Sequence, residues 1–257
     1  MSLEENPYLP PASRVADADG TAEVATGPYL ENGRAVPSGN AIEWLSSGWR
    51  MFRRQTGLWV RLALVYGLIT IGLSVIPIIG QLAAILVTPI FVGGFMFGCR
   101  RIDGGGETEL AHLFAGFRLN TAQLALVGVI GIALIAVVMI PVFLVTGVGA
   151  VLAGGAPKLA DATLLLGALV SLALLVPVYM AVWFAPALVM LQQQTAPRAM
   201  MQSFRGCLKN LVPFLIYGLA LFVLGFVAAI PFGLGWLVLG PVMIASIYAA
   251  YRDIYFA

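Results

Sequence analysis

Polar and apolar positions do not alternate finely along this chain; they separate into long blocks. Four stretches carry no charged residue: Leu62 to Cys99, Leu119 to Pro157, Ala162 to Pro197 and Asn210 to Tyr251. A helix crossing a bilayer needs about 20 apolar residues. The first and last stretches, 38 and 42 residues long, therefore each hold two spans and a tight turn. Near the middle of each lies a turn signal, Ile76-Pro77-Ile78-Ile79-Gly80 in one and Ile230-Pro231-Phe232-Gly233-Leu234-Gly235 in the other. Proline lacks the N–H of a helix interior and glycine permits positive φ, so each stretch reads as a helical hairpin.

In the middle of the chain a span runs from Thr121 to about Thr146. Gly147 to Pro157 reads as a loop, too rich in glycine for a good helix interior. The next span, from about Ala162 to Leu191, exceeds the ~30 Å hydrocarbon core at ~1.5 Å per residue. It must tilt or project into water, and Gln192, Gln193 and Gln194 point to projection. The fold class this predicts is all-α: a polytopic membrane helix bundle of six transmembrane helices, or seven if 147–157 re-enters the bilayer.

Short amphipathic segments precede the pairs of spans. Asn40 with Glu43 makes a capping-box-like start. Beyond it Ile42, Leu45, Trp49 and Phe52 share one helical face, with Arg50, Arg53 and Arg54 largely off it. Such a helix lies in the headgroup region, its arginines near anionic lipid. Thr108 to Phe117 and Ala199 to Leu208 repeat the pattern. The expected organisation is an integral membrane domain over 39–257: interfacial helix 39–56, hairpin 58–101, cytoplasmic helix 108–118, two spans in 120–192, cytoplasmic helix 197–209 and hairpin 210–254. Tyr66-Gly67-Leu68 also matches Tyr217-Gly218-Leu219, Pro89 matches Pro241 and Arg100 matches Arg252. Repeats in one orientation follow, unlike the inverted repeats of many transporters.

Residues 1–38 differ from all this. They are polar, contain Glu4, Glu5, Asp17, Asp19, Glu23 and Glu31, and lack the apolar core of a signal peptide. They read as a disordered cytoplasmic tail. A Pro-Tyr-Leu triplet at 7–9 recurs at 28–30, either a docking motif or part of a solvated leader.

Composition supports the membrane reading: 60% hydrophobic and 10% charged, against about 25% charged in soluble domains. A net charge of +2 gives no reason to expect nucleic acid. Its distribution is more informative. With the N-terminus inside, Arg50, Arg53, Arg54, Arg61, Arg100, Arg101, Arg118, Arg198, Arg205, Lys209 and Arg252 fall on the cytoplasmic side and Lys158 on the other. The excess of basic residues at one side predicts cytoplasmic termini.

Candidate chemistry is sparse. Apart from Arg61, which can snorkel, the spans hold no ionisable residue of the kind that drives ion-coupled transport. Thr70, Ser74, Thr88, Gln123, Ser171, Tyr179 and Ser246 read as interhelical hydrogen-bonding groups. A single histidine, His112, does not make a metal site. Cys99 and Cys207 lie at cytoplasmic span ends, where disulfides do not persist. No nucleotide, nucleophile-elbow or zinc motif occurs. The chain is expected to be no enzyme and to use no cofactor.

Several local motifs carry a resemblance. Gly48-Trp49 with Phe52, Ile76-Pro77 with Gly80, MFGCR at 96–100, LFAGFR at 113–118, WFAPAL at 183–188, Ser203-Phe204 with Cys207-Leu208 and Asn210, and YRDI at 251–254 resemble a family of proteobacterial inner-membrane proteins described only as hypothetical transmembrane proteins. More distantly, the plan of helix plus hairpin is similar to the membrane domain attached to some glycerophosphodiester phosphodiesterases. The chain has no phosphodiesterase domain, so that activity does not follow. The resemblance implies an architecture and a compartment.

The expected function is an integral inner-membrane protein that assembles with itself or other membrane proteins, or contacts anionic lipid, through its cytoplasmic face. The alternative is a passive channel or a transporter of an apolar or lipidic substrate. The candidate contacts are Trp49, Arg50, Phe52, Arg53, Arg54, Arg100, Arg101, Phe114, Phe117, Arg118, Arg205, Lys209 and Arg252.

Overall fold

The computed structural model describes residues 27–152 and 157–257. The elements in order are α1 (Asn40–Arg54), α2 (Thr56–Ser74), α3 (Ile79–Asp103), a 3-10 turn (Leu110–Phe114), α4 (Gly116–Leu119), α5 (Thr121–Leu152), α6 (Pro157–Trp183), α7 (Ala185–Gln192), α8 (Ala196–Lys209), α9 (Leu211–Ala229) and α10 (Trp236–Tyr255). There is no multi-residue strand among the described residues. Among the described residues six spans are long and apolar enough to cross a membrane: α2, α3, α5, the composite of α6 and α7, α9 and α10. This is an all-α polytopic bundle.

Half of the membrane stretch of α3 and of α10 is buried in protein, against 11–17% for the other four spans. These two helices form the centre. The units α1-α2-α3 and α8-α9-α10 share an element order, a 19-residue first span and a proline inside the central helix, Pro89 or Pro241. Burial concentrates at one end: Leu58, Trp59 and Leu62 at the start of α2, Pro89 to Ile102 in α3, Tyr217 early in α9 and Leu239 onward in α10. Towards the hairpin tips, side chains such as Ile71, Phe143, Phe226 and Phe232 are exposed. Lipid tails are as apolar as leucine, so such faces require no protein partner in a bilayer.

Five features differ from the sequence reading. First, α5 runs through Gly147 and Gly149 to Leu152 instead of ending near Thr146; residues 153–156 of the expected loop lie outside the described residues. Within hydrocarbon an unpaired backbone group costs several kcal/mol, roughly, and continuing the helix avoids that cost. Second, the long span 162–191 is not one rod. It breaks at Phe184, whose N–H donates to Ser203 Oγ at 2.9 Å, while Ser203 Oγ donates to Met180 O at 2.6 Å. Pro186 brings no N–H to the first turn of α7. The excess length is taken up by a break that α8 repairs.

Third, 108–118 is a 3-10 turn followed by one turn of α4, not a single helix. Thr108 Oγ1 donates to Gly98 O at 2.8 Å, and Gly94 and Gly116 press against the backbone of Leu113 and Ile90, leaving no room for a full helix. Fourth, α1 does not lie with Ile42 and Trp49 inward. Its buried face is Ala41, Trp44, Gly48 and Phe52, because it packs on α10. A Cβ at Gly48 would stand 2.6 Å from Val242 O and 2.8 Å from Ser246 N, so only glycine permits this crossing.

Fifth, the expected boundary of the tail at 38 is too late. Residues 27–38 form an ordered strap across the ends of α8 and α10. The Leu30 and Arg34 N–H groups donate to Tyr255 O and Ile254 O, both at 2.8 Å. Buried Asn210 accepts from Val36 N–H and donates to Arg34 O, again at 2.8 Å each. These partners repay the entropy of ordering a polar segment. The second Pro-Tyr-Leu triplet is part of this strap, whereas the first, and the disorder expected for 1–26, lie outside the described residues.

Candidate functional site

The charged end of the bundle is where α1, the end of α3, the end of α10 and the strap converge. Two carboxylates organise it. Asp253 accepts from Arg34 Nη2 at 3.0 Å, Asn40 Nδ2 at 2.8 Å and Trp44 Nε1 at 2.9 Å, and Arg34 Nε donates to its backbone oxygen at 2.8 Å. Asp103 accepts from Arg252 and, at 3.1 Å, from Tyr248 Oη. Strap, α1, α3 and α10 are thus joined by two charge-assisted clusters of the stronger class of hydrogen bond.

Between the clusters lies a cavity of about 520 Å³, within the range of small-molecule sites. Arg34, Arg50, Arg54 and Arg252 line it together with Glu43, Asp103 and Asp253, and Trp44, Met51 and Phe256 supply apolar wall. Arg50 bonds to Ser46 and Ser47 Oγ at 3.2 and 2.7 Å, and Arg54 Nη1 to Ile102 O at 3.3 Å. Arg252 Nε is buried without an acceptor.

The residues singled out in the sequence are divided by this arrangement. Arg50, Arg54 and Arg252 meet at the cavity, while Arg53 is exposed at the end of α1. Trp49 is half exposed and stacks on Phe52 at 5.6 Å. Phe52 itself is buried and is corrected from a surface contact to a core residue, since it lies on the α10 side of α1. Arg100 sits over the Phe97 ring at 5.4 Å. Arg101 bonds to Glu107 O at 3.3 Å. Phe114 and Phe117 are exposed beside Arg118 and pack edge-on against Phe91. Arg205 donates to Asn32 and Lys209 to Gly33 O, both at 2.8 Å, so these two help to hold the strap.

Sequence reasoning missed Arg34, Asn40, Asp103, Tyr248 and Asp253. The signal was present for the acids: a carboxylate beside the arginines at each end of α3 and α10. Arg34 and Asn40 were hidden by the assignment of their region to a leader or to a helix start.

Electrostatics outside the spans follows the geometry. Glu31 donates no proton to its partner: the Arg198 guanidinium, at 2.7 Å, holds its carboxyl below the ordinary value. Burial pushes Tyr29 up to about 12, with Glu31 adding to the shift. Burial also pushes the Cys207 thiol up to about 12; it and Cys99 are both free and buried, which makes neither a reactive thiolate. His112 is held below its ordinary value by burial and by Arg101. No group of three or more His, Cys, Asp or Glu gathers to hold a metal among the described residues.

Fold and composition define a multi-pass α-helical membrane protein. No family model matches the sequence, and no solved structure matches it. A curated relative does: a probable inner membrane protein of Burkholderia thailandensis, 31% identical over an alignment of 222 residues that covers 80% of this chain and 79% of the relative. The chain belongs to the family of that inner membrane protein.

Proposed function

We propose that the protein is a non-enzymatic assembly or interaction protein of the inner membrane, acting through its charged end, with that end and both termini in the cytoplasm. One contrast carries the reading. Asp103 and Asp253 are occupied by internal donors, whereas Arg53 and Arg118 remain exposed, Arg118 beside exposed Phe114 and Phe117. The outer surface of this end is therefore basic and aromatic, suited to anionic headgroups, a second copy or another membrane protein. That Asp103 and Asp253 are engaged internally supports a structural role for these two acids over a part in acid–base chemistry.

The test is site-specific photocrosslinking in native membranes. Probes at Trp49, Phe117 and Arg118 should give adducts with protein or preferentially with anionic lipid, whereas probes at Ile71 and Phe226 should give lipid adducts without that preference. Identical adducts at both sets of positions would contradict a specialised charged end.

A second reading, movement of an apolar or lipidic substrate, is favoured by a separate observation. An apolar cavity of about 410 Å³ lies between α5 and α6, lined by residues including Phe143, Thr146, Leu164 and Ala168. If vesicles containing the protein move a fluorescent phospholipid between leaflets, and Ala168→Phe stops this, the second reading replaces the first. Movement no faster than in protein-free vesicles removes it.

A further inference from the structure

The cavity at the charged end is rich in donors and poor in free acceptors. Asp253 already takes three side-chain donors and Asp103 takes two. Glu43 is mostly exposed and stands 3.9 Å from Arg50, a weak surface pair. Against them, Arg54 has one carbonyl partner and the buried Nε of Arg252 has none. Guanidinium groups arriving from α1 and α10 thus line one space; each carries five N–H donors, of which exposed Arg50 gives two to Ser46 and Ser47 and exposed Arg54 one to Ile102 O. The group that meets this demand is an anion with several acceptor oxygens and no donor of its own. A carboxylate holds its two oxygens in one plane with its carbon, whereas a phosphoryl group sets its free oxygens, three in a monoester and two in a diester, at the corners of a tetrahedron, matching arginines that approach from separate helices. The volume, about 520 Å³, exceeds that of bare phosphate and leaves room for an organic remainder against Trp44, Met51 and Phe256.

We propose that this cavity binds the phosphoryl group of an organic phosphate, with Arg50, Arg54 and Arg252 as its donors. The inference rests on the proposed function in taking the charged end as the working face, and it adds a built site with a stated ligand chemistry. The phosphate can arrive in two forms, as a soluble phosphate ester or as the headgroup of an anionic phospholipid entering from the surrounding leaflet.

The experiment uses the full chain in neutral detergent with two probes. Glycerol 3-phosphate is titrated by calorimetry, with glycerol as the control, and retained phosphatidylglycerol is counted by native mass spectrometry. One equivalent of at least one probe is expected to bind. Arg50 and Arg54 are exposed, so the double variant Arg50→Gln with Arg54→Gln should fold; it should weaken binding by about tenfold or more. Arg53→Gln with Arg118→Gln, outside the cavity, should leave binding within about twofold. Binding of the ester identifies a soluble source, and retention of the lipid alone identifies a headgroup. Failure of both probes, unchanged binding in the cavity variant, or equal loss in both variants overturns the site. Crosslinks at Phe117 and Arg118 that persist while neither probe binds would leave the proposed function standing and remove this inference alone.

Discussion

The indole N–H of Trp44 donates to the carboxylate of Asp253 at 2.9 Å, joining the first helix of the chain to its last turn. Trp44 is fully buried, and its ring packs on Phe214 at 5.4 Å and Tyr217 at 6.0 Å. A buried indole N–H usually has an acceptor; Asp253 supplies it for Trp44, whereas the equally buried Trp59 has none. Asp253→Asn removes the charge and leaves Arg34, Asn40 and Trp44 with a poorer acceptor. The expected cost is about 2–3 kcal/mol, read as a lower melting temperature of the purified protein. An unchanged melting temperature would show that the cluster contributes little.

Gly48 supplies a steric test. Its position against Val242 O and Ser246 N leaves no space for a side chain, and overpacking of this kind costs roughly 1–3 kcal/mol or more. Gly48→Val should lower the melting temperature and separate α1 from α10, seen as loss of an engineered crosslink between those helices. Gly72→Ala, where an added Cβ meets nothing within 4 Å, should cost nothing measurable.

The strap depends on Asn210. Asn210→Leu leaves Val36 N–H and Arg34 C=O without their partner. Amide exchange at Val36 should rise by at least about tenfold, corresponding to one lost hydrogen bond of ~1.4 kcal/mol, with the exchange of Leu239 to Ser246 unchanged. Equal acceleration of both segments would mean that the strap does not open separately.

His112 gives the pH dependence. Its Nδ1 accepts from Glu109 N–H at 2.9 Å, which requires the unprotonated ring atom, and its pKa is depressed from the ordinary 6.5. A depressed folded value means that the unfolded turn binds protons first. The stabilisation is therefore complete above about pH 6.5 and lost as pH falls from there through the folded value. Exchange of the Glu109 amide, corrected for its intrinsic rate, should accelerate below pH 6, and His112→Phe should abolish that dependence. A pH-independent exchange would contradict the role given to the ring.

Much of the fold was legible because charge-free length is a direct physical requirement of a bilayer. The turns at 76–80 and 230–235 were legible for the same kind of reason: the helices stop at Ser74 and Ala229, and Phe232 and Gly233 take positive φ. What the pattern concealed depends on partners distant in sequence. The break at Phe184 needs Ser203, the rotation of α1 needs the backbone of α10 beside Gly48, and the ordering of residues 27–38 needs Asn210 and the end of α10. At the candidate site, Arg50, Arg54 and Arg252 could be picked from charge alone. Their meeting around one cavity could not, nor could the pairing of Arg252 with Asp103, because partners about 150 residues apart leave no local periodicity.

The central claim is that six spans carry the charged end on the cytoplasmic side. Reporter fusions test it most directly. A reporter placed after Ala257 should be active only as a cytoplasmic protein, and one inserted at Gly155, three spans earlier, should report the opposite side. Both reporters on the same side of the membrane would contradict the account.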